Sequence, residues 1–203
     1  MIDLFLKGGP VMWPLLALSL VALTVVFERL LFIVREWRRQ DSAAVIDIFH
    51  AIKRGELDAA QATGSSSRDY LARILTYTLR HRDSFSNALV QAANEELQRF
   101  NRGISLLDTI VTLAPLLGLF GTVTGMIHAF GLLGASEMGA PTAITGGIAE
   151  ALIATAFGLL IAMTSLLPFN YLNTRMEEAR QRIETAAARL EMILLRNEKD
   201  AAV

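Results

Sequence analysis

The chain has 203 residues, 53% of them hydrophobic, with a mean hydropathy of +0.41 and a formal net charge of -1. Apolar residues gathered into uncharged blocks at that level exclude an ordinary soluble domain, and the lack of a basic stripe excludes a nucleic-acid-binding surface. No cysteine is present, which excludes a disulfide framework and a thiolate metal site.

Residues 1–10 alternate apolar and polar side chains, as in a segment lying along a membrane surface. Residues 11–34 are a first expected span. Their apolar run is longer than a signal-peptide core and lacks an Ala-x-Ala-like exit, so it is read as uncleaved. Pro14 stands near the start, where a helix tolerates proline, and Trp13 suits an interface. Glu28 and Arg29, then Arg35, Glu36, Trp37, Arg38 and Arg39, read as snorkelling and aromatic anchoring at a water boundary.

Residues 35–103 turn polar, with eleven Lys or Arg against nine Asp or Glu between residues 35 and 102. The spacing of Val45, Ile48, Phe49 and Ile52 predicts a helix. The Gly-, Ser- and Ala-rich stretch at residues 53–69 is expected to be a helix–loop junction. Asp83 or Ser84 is placed to cap a further helix, which meets no strong breaker and is predicted to run into the apolar region as one rod.

Residues 104–133 and 143–172 are the second and third expected spans, joined by a turn at residues 134–142 that contains Pro141. No Lys or Arg occurs between residues 103 and 174. The positive-inside rule therefore places residues 35–103 and 173–203 in the cytoplasm, with the N-terminus and the turn on the periplasmic side. In the last segment Leu172, Met176, Ala179, Ile183, Ala186, Leu190 and Ile193 follow an alternating four–three spacing. Such a helix packs on neighbouring helices, or touches only the chain's own polar domain. The fold class is an all-α integral membrane protein of three transmembrane helices with long cytoplasmic helical extensions.

Spans two and three are rich in small and hydroxyl residues. Gly118, Gly121, Gly125, Ala154 and Gly158 are candidate helix-packing positions, since small side chains let backbones approach where lipid offers no hydrophobic drive. Glu150 lies inside an apolar run, where an ionisable group must face protein or water. With Ala154, Gly158 and Ala162 at successive i+4 positions it makes one helix face that lines a pathway. The other reading is structural: Glu150 bonds a neighbouring helix or reaches the outer interface. Thr155 stands about 140° round the helix from Glu150, where it can flank the same cavity. Pro115 frees the carbonyl near Val111, for Thr112 or a water to satisfy. Asp108 and His128 fall nearer the ends of their span and are expected at interfaces. The three histidines have no ligand spacing, and no hydrolase elbow or phosphate loop occurs. No enzymatic activity, cofactor or metal site is expected.

Three blocks now carry a resemblance. They are Gly8-Gly9-Pro10 with Pro14-Leu15-Leu16 and Glu28-Arg29; Ala114-Pro115-Leu116-Leu117-Gly118-Leu119-Phe120-Gly121-Thr122-Val123-Thr124-Gly125-Met126-Ile127; and Gly147-Ile148-Ala149-Glu150-Ala151-Leu152-Ile153-Ala154-Thr155-Ala156-Phe157-Gly158-Leu159. In this order they resemble the MotA/TolQ/ExbB proton channel family, closest to its ExbB/TolQ branch. The resemblance implies a homopentamer in the bacterial inner membrane around a dimer of a single-span ExbD/TolR-like partner, powered by the proton motive force and serving a TonB/TolA-like transducer. It implies that the ion-carrying aspartate belongs to the partner, that Thr122 and Thr155 match the threonines facing it, and that Glu150 matches the family's intramembrane glutamate. MotA-like stators have four spans and a larger cytoplasmic domain. The family's usual proline after Gly158-Leu159 is replaced by Ala162-Met163-Thr164, with Pro168 coming later.

Overall fold

The computed structural model describes residues 2–81, 84–135 and 141–201. Every described element is a helix: α1 Ile2–Lys7, α2 Met12–Arg38, α3 Ser42–Lys53, α4 Leu57–Ser66, α5 Tyr70–Arg80, α6 Phe85–Asn101, α7 Ile104–Ala135 and α8 Pro141–Ala201. The helical segments Met12–Arg38, Phe85–Gly131 and Thr145–Arg196 are long and apolar enough to cross a membrane. The protein is therefore an all-α membrane protein. Asp83 and, within the expected turn, residues 136–140 lie outside the described residues.

The chain divides into an apolar unit, residues 1–29 and 103–172, and a polar unit, residues 30–102 and 173–203. In the apolar unit, α2 tolerates Pro14 because the N–H groups of a helix's first turn have no intrahelical acceptor. Large side chains on α7 and α8 point outward: Leu116, Leu119, Phe120, Ile127, Leu152, Met163 and Leu167 are all exposed. The inward faces are built from Ala114, Gly118, Gly121, Gly125 and Ala129 on α7 and Gly147, Ala151, Ala154 and Gly158 on α8. This order suits a hydrocarbon solvent, where packing rather than water exclusion joins helices.

The polar unit gathers large apolar residues into two cores. One core gathers Ile48, Phe49, Ile52, Leu75, Leu79 and Leu190, and a second gathers Tyr70, Ile74, Phe100, Ala179 and Ile183. Edge-to-face ring contacts link Phe32, Phe100 and Tyr70, with centroids 5.4 Å apart in each pair. The Asp69 carboxylate caps α5 by accepting from the Leu71 amide at 2.8 Å, and its other oxygen accepts from the Asp41 amide at 2.8 Å. Arg73 joins three helices, bonding Glu36 at 3.1 Å and Glu96 at 2.8 Å, both carboxylates being buried. The bond to Glu96 pushes the Arg73 guanidinium above its ordinary pKa. The apolar seam of α8, from Ala179 through Ile183 and Ala186 to Leu190, is buried in these two cores, so it packs on the chain's own helices.

Three expectations need correction. The single rod from residue 84 onward is broken between α6 and α7, where Gly103 takes φ +79° and closes against Val25 and the Arg29 stem. Arg29 does not snorkel: it is 3% exposed, ion-paired to Glu28, with its aliphatic stem laid over Gly103. The stretch at residues 53–69 holds helix α4 rather than a loop. Gly64 does not break it, because that glycine is buried against Thr76 and Ile48, where a side chain would not fit.

Candidate functional site

The helix pair α7–α8 places the candidate residues, and glycine decides how closely the two approach. A Cβ at Gly158 would lie 2.6 Å from the Ala114 carbonyl oxygen and 3.0 Å from Gly118 Cα. One at Gly121 would lie 2.5 Å from Ala154 Cβ, and one at Gly125 would lie 3.0 Å from Ala151 Cβ and 3.1 Å from the Gly147 carbonyl oxygen. Each predicted packing residue, Gly118, Gly121, Gly125, Ala154 and Gly158, therefore stands on this seam. Sequence reasoning did not single out Ala114, Ala129 and Ala151 as seam residues. The signal was there: the spacing of four and three carries on through them in both directions.

Thr155 is half-buried and donates its hydroxyl across the seam to the Gly118 carbonyl at 2.9 Å. Thr122, also half-buried, donates to the Leu119 carbonyl of its own helix at 2.6 Å. Both hydroxyls keep lone pairs free to accept a hydrogen bond. Thr155 and Thr122 are brought to the same stretch of the helix pair, since each is within four residues of Gly118 or bonded to it.

Glu150 is half-buried, one turn before Ala154 on α8. Its carboxylate meets neither threonine in the hydrogen bonds above. It lies against Gly9, in the turn that links α1 to α2, so closely that a Cβ there would stand 2.6 Å from Glu150 Cδ and overlap Oε1. The N-terminal glycines thus belong to the surroundings of the site, although by sequence they were only part of a resemblance.

One smaller expectation turns out differently. Thr112 does not serve the carbonyl freed by Pro115. Its hydroxyl is already committed to the Asp108 and Thr109 carbonyls, at 3.1 and 3.0 Å. Asp108 and His128 are both exposed on α7.

A family model described as the MotA/TolQ/ExbB proton channel family matches residues 59–185, a stretch that includes Thr122, Glu150 and Thr155. The chain is 37% identical over 203 aligned residues to the biopolymer transport ExbB-like protein 1 of Synechocystis sp., covering 95% of this chain and 78% of that protein. It is 40% identical over 105 residues to the biopolymer transport protein ExbB of Neisseria gonorrhoeae, covering 52% of this chain and 47% of that one. With the Tol-Pal system protein TolQ of Haemophilus influenzae it shares 37% identity over 94 residues, 46% of this chain and 41% of that protein.

Proposed function

The chain belongs to the MotA/TolQ/ExbB proton channel family, and from that premise we propose that it is an ExbB-like motor subunit of the bacterial inner membrane. In this reading five copies surround a dimer of a single-span ExbD/TolR-like partner. The assembly uses the proton motive force to energise outer-membrane transport through a TonB/TolA-like transducer. The N-terminus is periplasmic and the C-terminus cytoplasmic. The chain performs no catalysis of its own.

The observation that supports this reading most is the conjunction of the family match with the α7–α8 seam. Backbones that meet through glycine and alanine make a helix pair stiff enough to hold Thr122 and Thr155 in fixed places beside a pathway. Glu150, an ionisable group in an apolar segment, is the chain's own contribution to proton traffic, because such a residue is costly unless it faces protein or water. The partner's carboxyl group then alternates between protonated and ionised states. Each change alters its preference among the surrounding copies, and successive changes produce a mechanical stroke.

The test is proton flux in vesicles containing the chain and the single-span protein encoded beside it. Partner-dependent flux that is lost in Glu150→Ala and Thr155→Val, with the stoichiometry of the complex unchanged, is the expected result. A fully assembled complex that passes no protons under any imposed gradient would instead make the chain a passive membrane scaffold. Assembly with a partner that serves cell division and outer-membrane integrity, rather than uptake, would assign the TolQ-like role.

A further inference from the structure

We propose that the Gly8–Gly9 turn positions the Glu150 carboxyl group, making the N-terminal segment a working part of the ion site. The inference rests on the reading of Glu150 given above, and it names the element that controls where that group can point.

The two glycines seat the turn on one face of α8. Gly9 is against Glu150: an added Cβ would overlap Oε1 and stand 2.6 Å from Cδ and 3.0 Å from Cγ, so the whole outer part of the side chain runs along the bare Cα. Gly8 is against the next turn of the helix, where a Cβ would meet Ile153 Cγ2 at 3.0 Å and Met12 Cγ and Sδ at 2.6 Å. Residues three apart on a helix share a face, so Glu150 and Ile153 form one footprint.

The turn is also fixed from within. The Gly8 amide donates to the Phe5 carbonyl at 3.1 Å, the Met12 amide to the Gly9 carbonyl at 3.2 Å and the Trp13 amide to the Pro10 carbonyl at 3.3 Å. The Phe5 and Trp13 rings meet edge to face at 5.5 Å across it. Gly9 itself has φ +73°, and the following Pro10 narrows its choices further. A wall held this way does not yield to a side chain; the side chain takes the space the wall leaves. Ordinary helix packing would be satisfied by an apolar neighbour, as Gly8 is by Ile153. At Gly9 the group admitted is instead the carboxyl of the candidate pathway.

The test compares Gly9→Ala with Gly55→Ala in the full chain reconstituted with its single-span partner. Gly55 is the matched control, because it also has positive φ (+78°) but a Cβ there meets nothing within 4 Å. Two readouts are taken: the rate at which a hydrophobic carbodiimide labels the carboxyl at position 150, followed by mass spectrometry, and proton flux. Gly9→Ala is expected to change the labelling rate at least about five-fold and to lower flux about ten-fold, as misplacing a reacting group does. Gly55→Ala should leave both within about two-fold. In a Glu150→Asp background, whose shorter side chain withdraws from Gly9, Gly9→Ala should change neither labelling nor assembly any further. Equal labelling in Gly9→Ala and the parent would overturn the proposal. So would a Gly9→Ala assembly defect that persists with Glu150→Asp, since the damage would then come from backbone strain. If Glu150→Gln conducts normally while Gly9→Ala still alters labelling, positioning stands and the pathway role of Glu150 falls.

Discussion

Ile48, Ile52, Leu75 and Leu190 are buried at the centre of the polar unit, whereas Leu116, Ile127, Leu152 and Leu167, equally large and apolar, stand exposed on the apolar unit. Between α7 and α8 of the apolar unit the contacts run through Gly118, Gly121, Gly125, Ala151, Ala154 and Gly158. The apolar unit also buries Met12, Leu15, Leu107, Ile110 and Leu172, but at its α7–α8 seam the smallest side chains face inward, the reverse of the polar unit's cores, and the solvent is the reason. Water expels large apolar groups into a core, where close packing adds dispersion attraction. Hydrocarbon expels nothing apolar, so association comes from how near two backbones can come, and the smallest side chains win the seam between helices. Polar groups follow the same division. The polar unit affords two buried carboxylates shared by Arg73, while the apolar unit holds Arg29 buried and ion-paired with Glu28.

The sharpest way to break the comparison is to put a large residue inside the apolar unit. Gly158→Leu drives a side chain into the Ala114 carbonyl, and because that obstacle is backbone the expected destabilisation is upwards of about 4 kcal/mol, at the far end of overpacking costs. Thermal unfolding in detergent micelles should show the loss, together with failure to form the native-size complex. The converse change, Ile48→Ala, should cost about 3 kcal/mol through the cavity it leaves. Leu116→Ala removes as much side chain from an exposed site and should cost under about 0.5 kcal/mol; equal losses in these two variants would erase the distinction between the units.

Arg73→Met tests the polar unit's charge network. Two carboxylates would be left buried without a cation, and the expected cost is about 2–3 kcal/mol, below that of a fully buried pair because Arg73 is 31% exposed. Adding Glu96→Gln should return part of this loss, read as a coupling in a double-mutant cycle of denaturant midpoints. A smaller effect than that of Arg73→Met is expected from Asp69→Ala, which removes the cap on α5 and the bond to the Asp41 amide for about 1–2 kcal/mol. Faster amide exchange confined to the first turn of α5 and to Asp41 would identify the cause.

Much of this was legible in the sequence. Val45, Ile48, Phe49 and Ile52 are spaced as a helix face and are all buried on α3. Gly121 and Gly125 have the small-xxx-small spacing of a packed pair and are packed. What misled was glycine. Gly64 read as a breaker but is a point of close approach within α4, and Gly103 went unnoticed but interrupts the predicted rod. A glycine's effect depends on what approaches it, and sequence does not show the approaching surface. Arg29 was misread for the same reason: an arginine near a span's end ordinarily snorkels, unless a gap such as the one over Gly103 accepts its stem.

By itself the sequence determined the class of the protein, because the period of apolar residues and the segregation of charge are local quantities that any segment displays before it meets another. It also singled out the candidate residues, since an ionisable glutamate in an apolar run declares its cost wherever it folds. Only the tertiary structure decided their company: Thr155 on the Gly118 carbonyl, Glu150 on the bare Cα of Gly9. Those contacts join residues 37 positions apart in the first case and the apolar unit's two separate stretches of chain in the second. Their geometry is fixed by how closely backbones pack, which depends on all the partners at once.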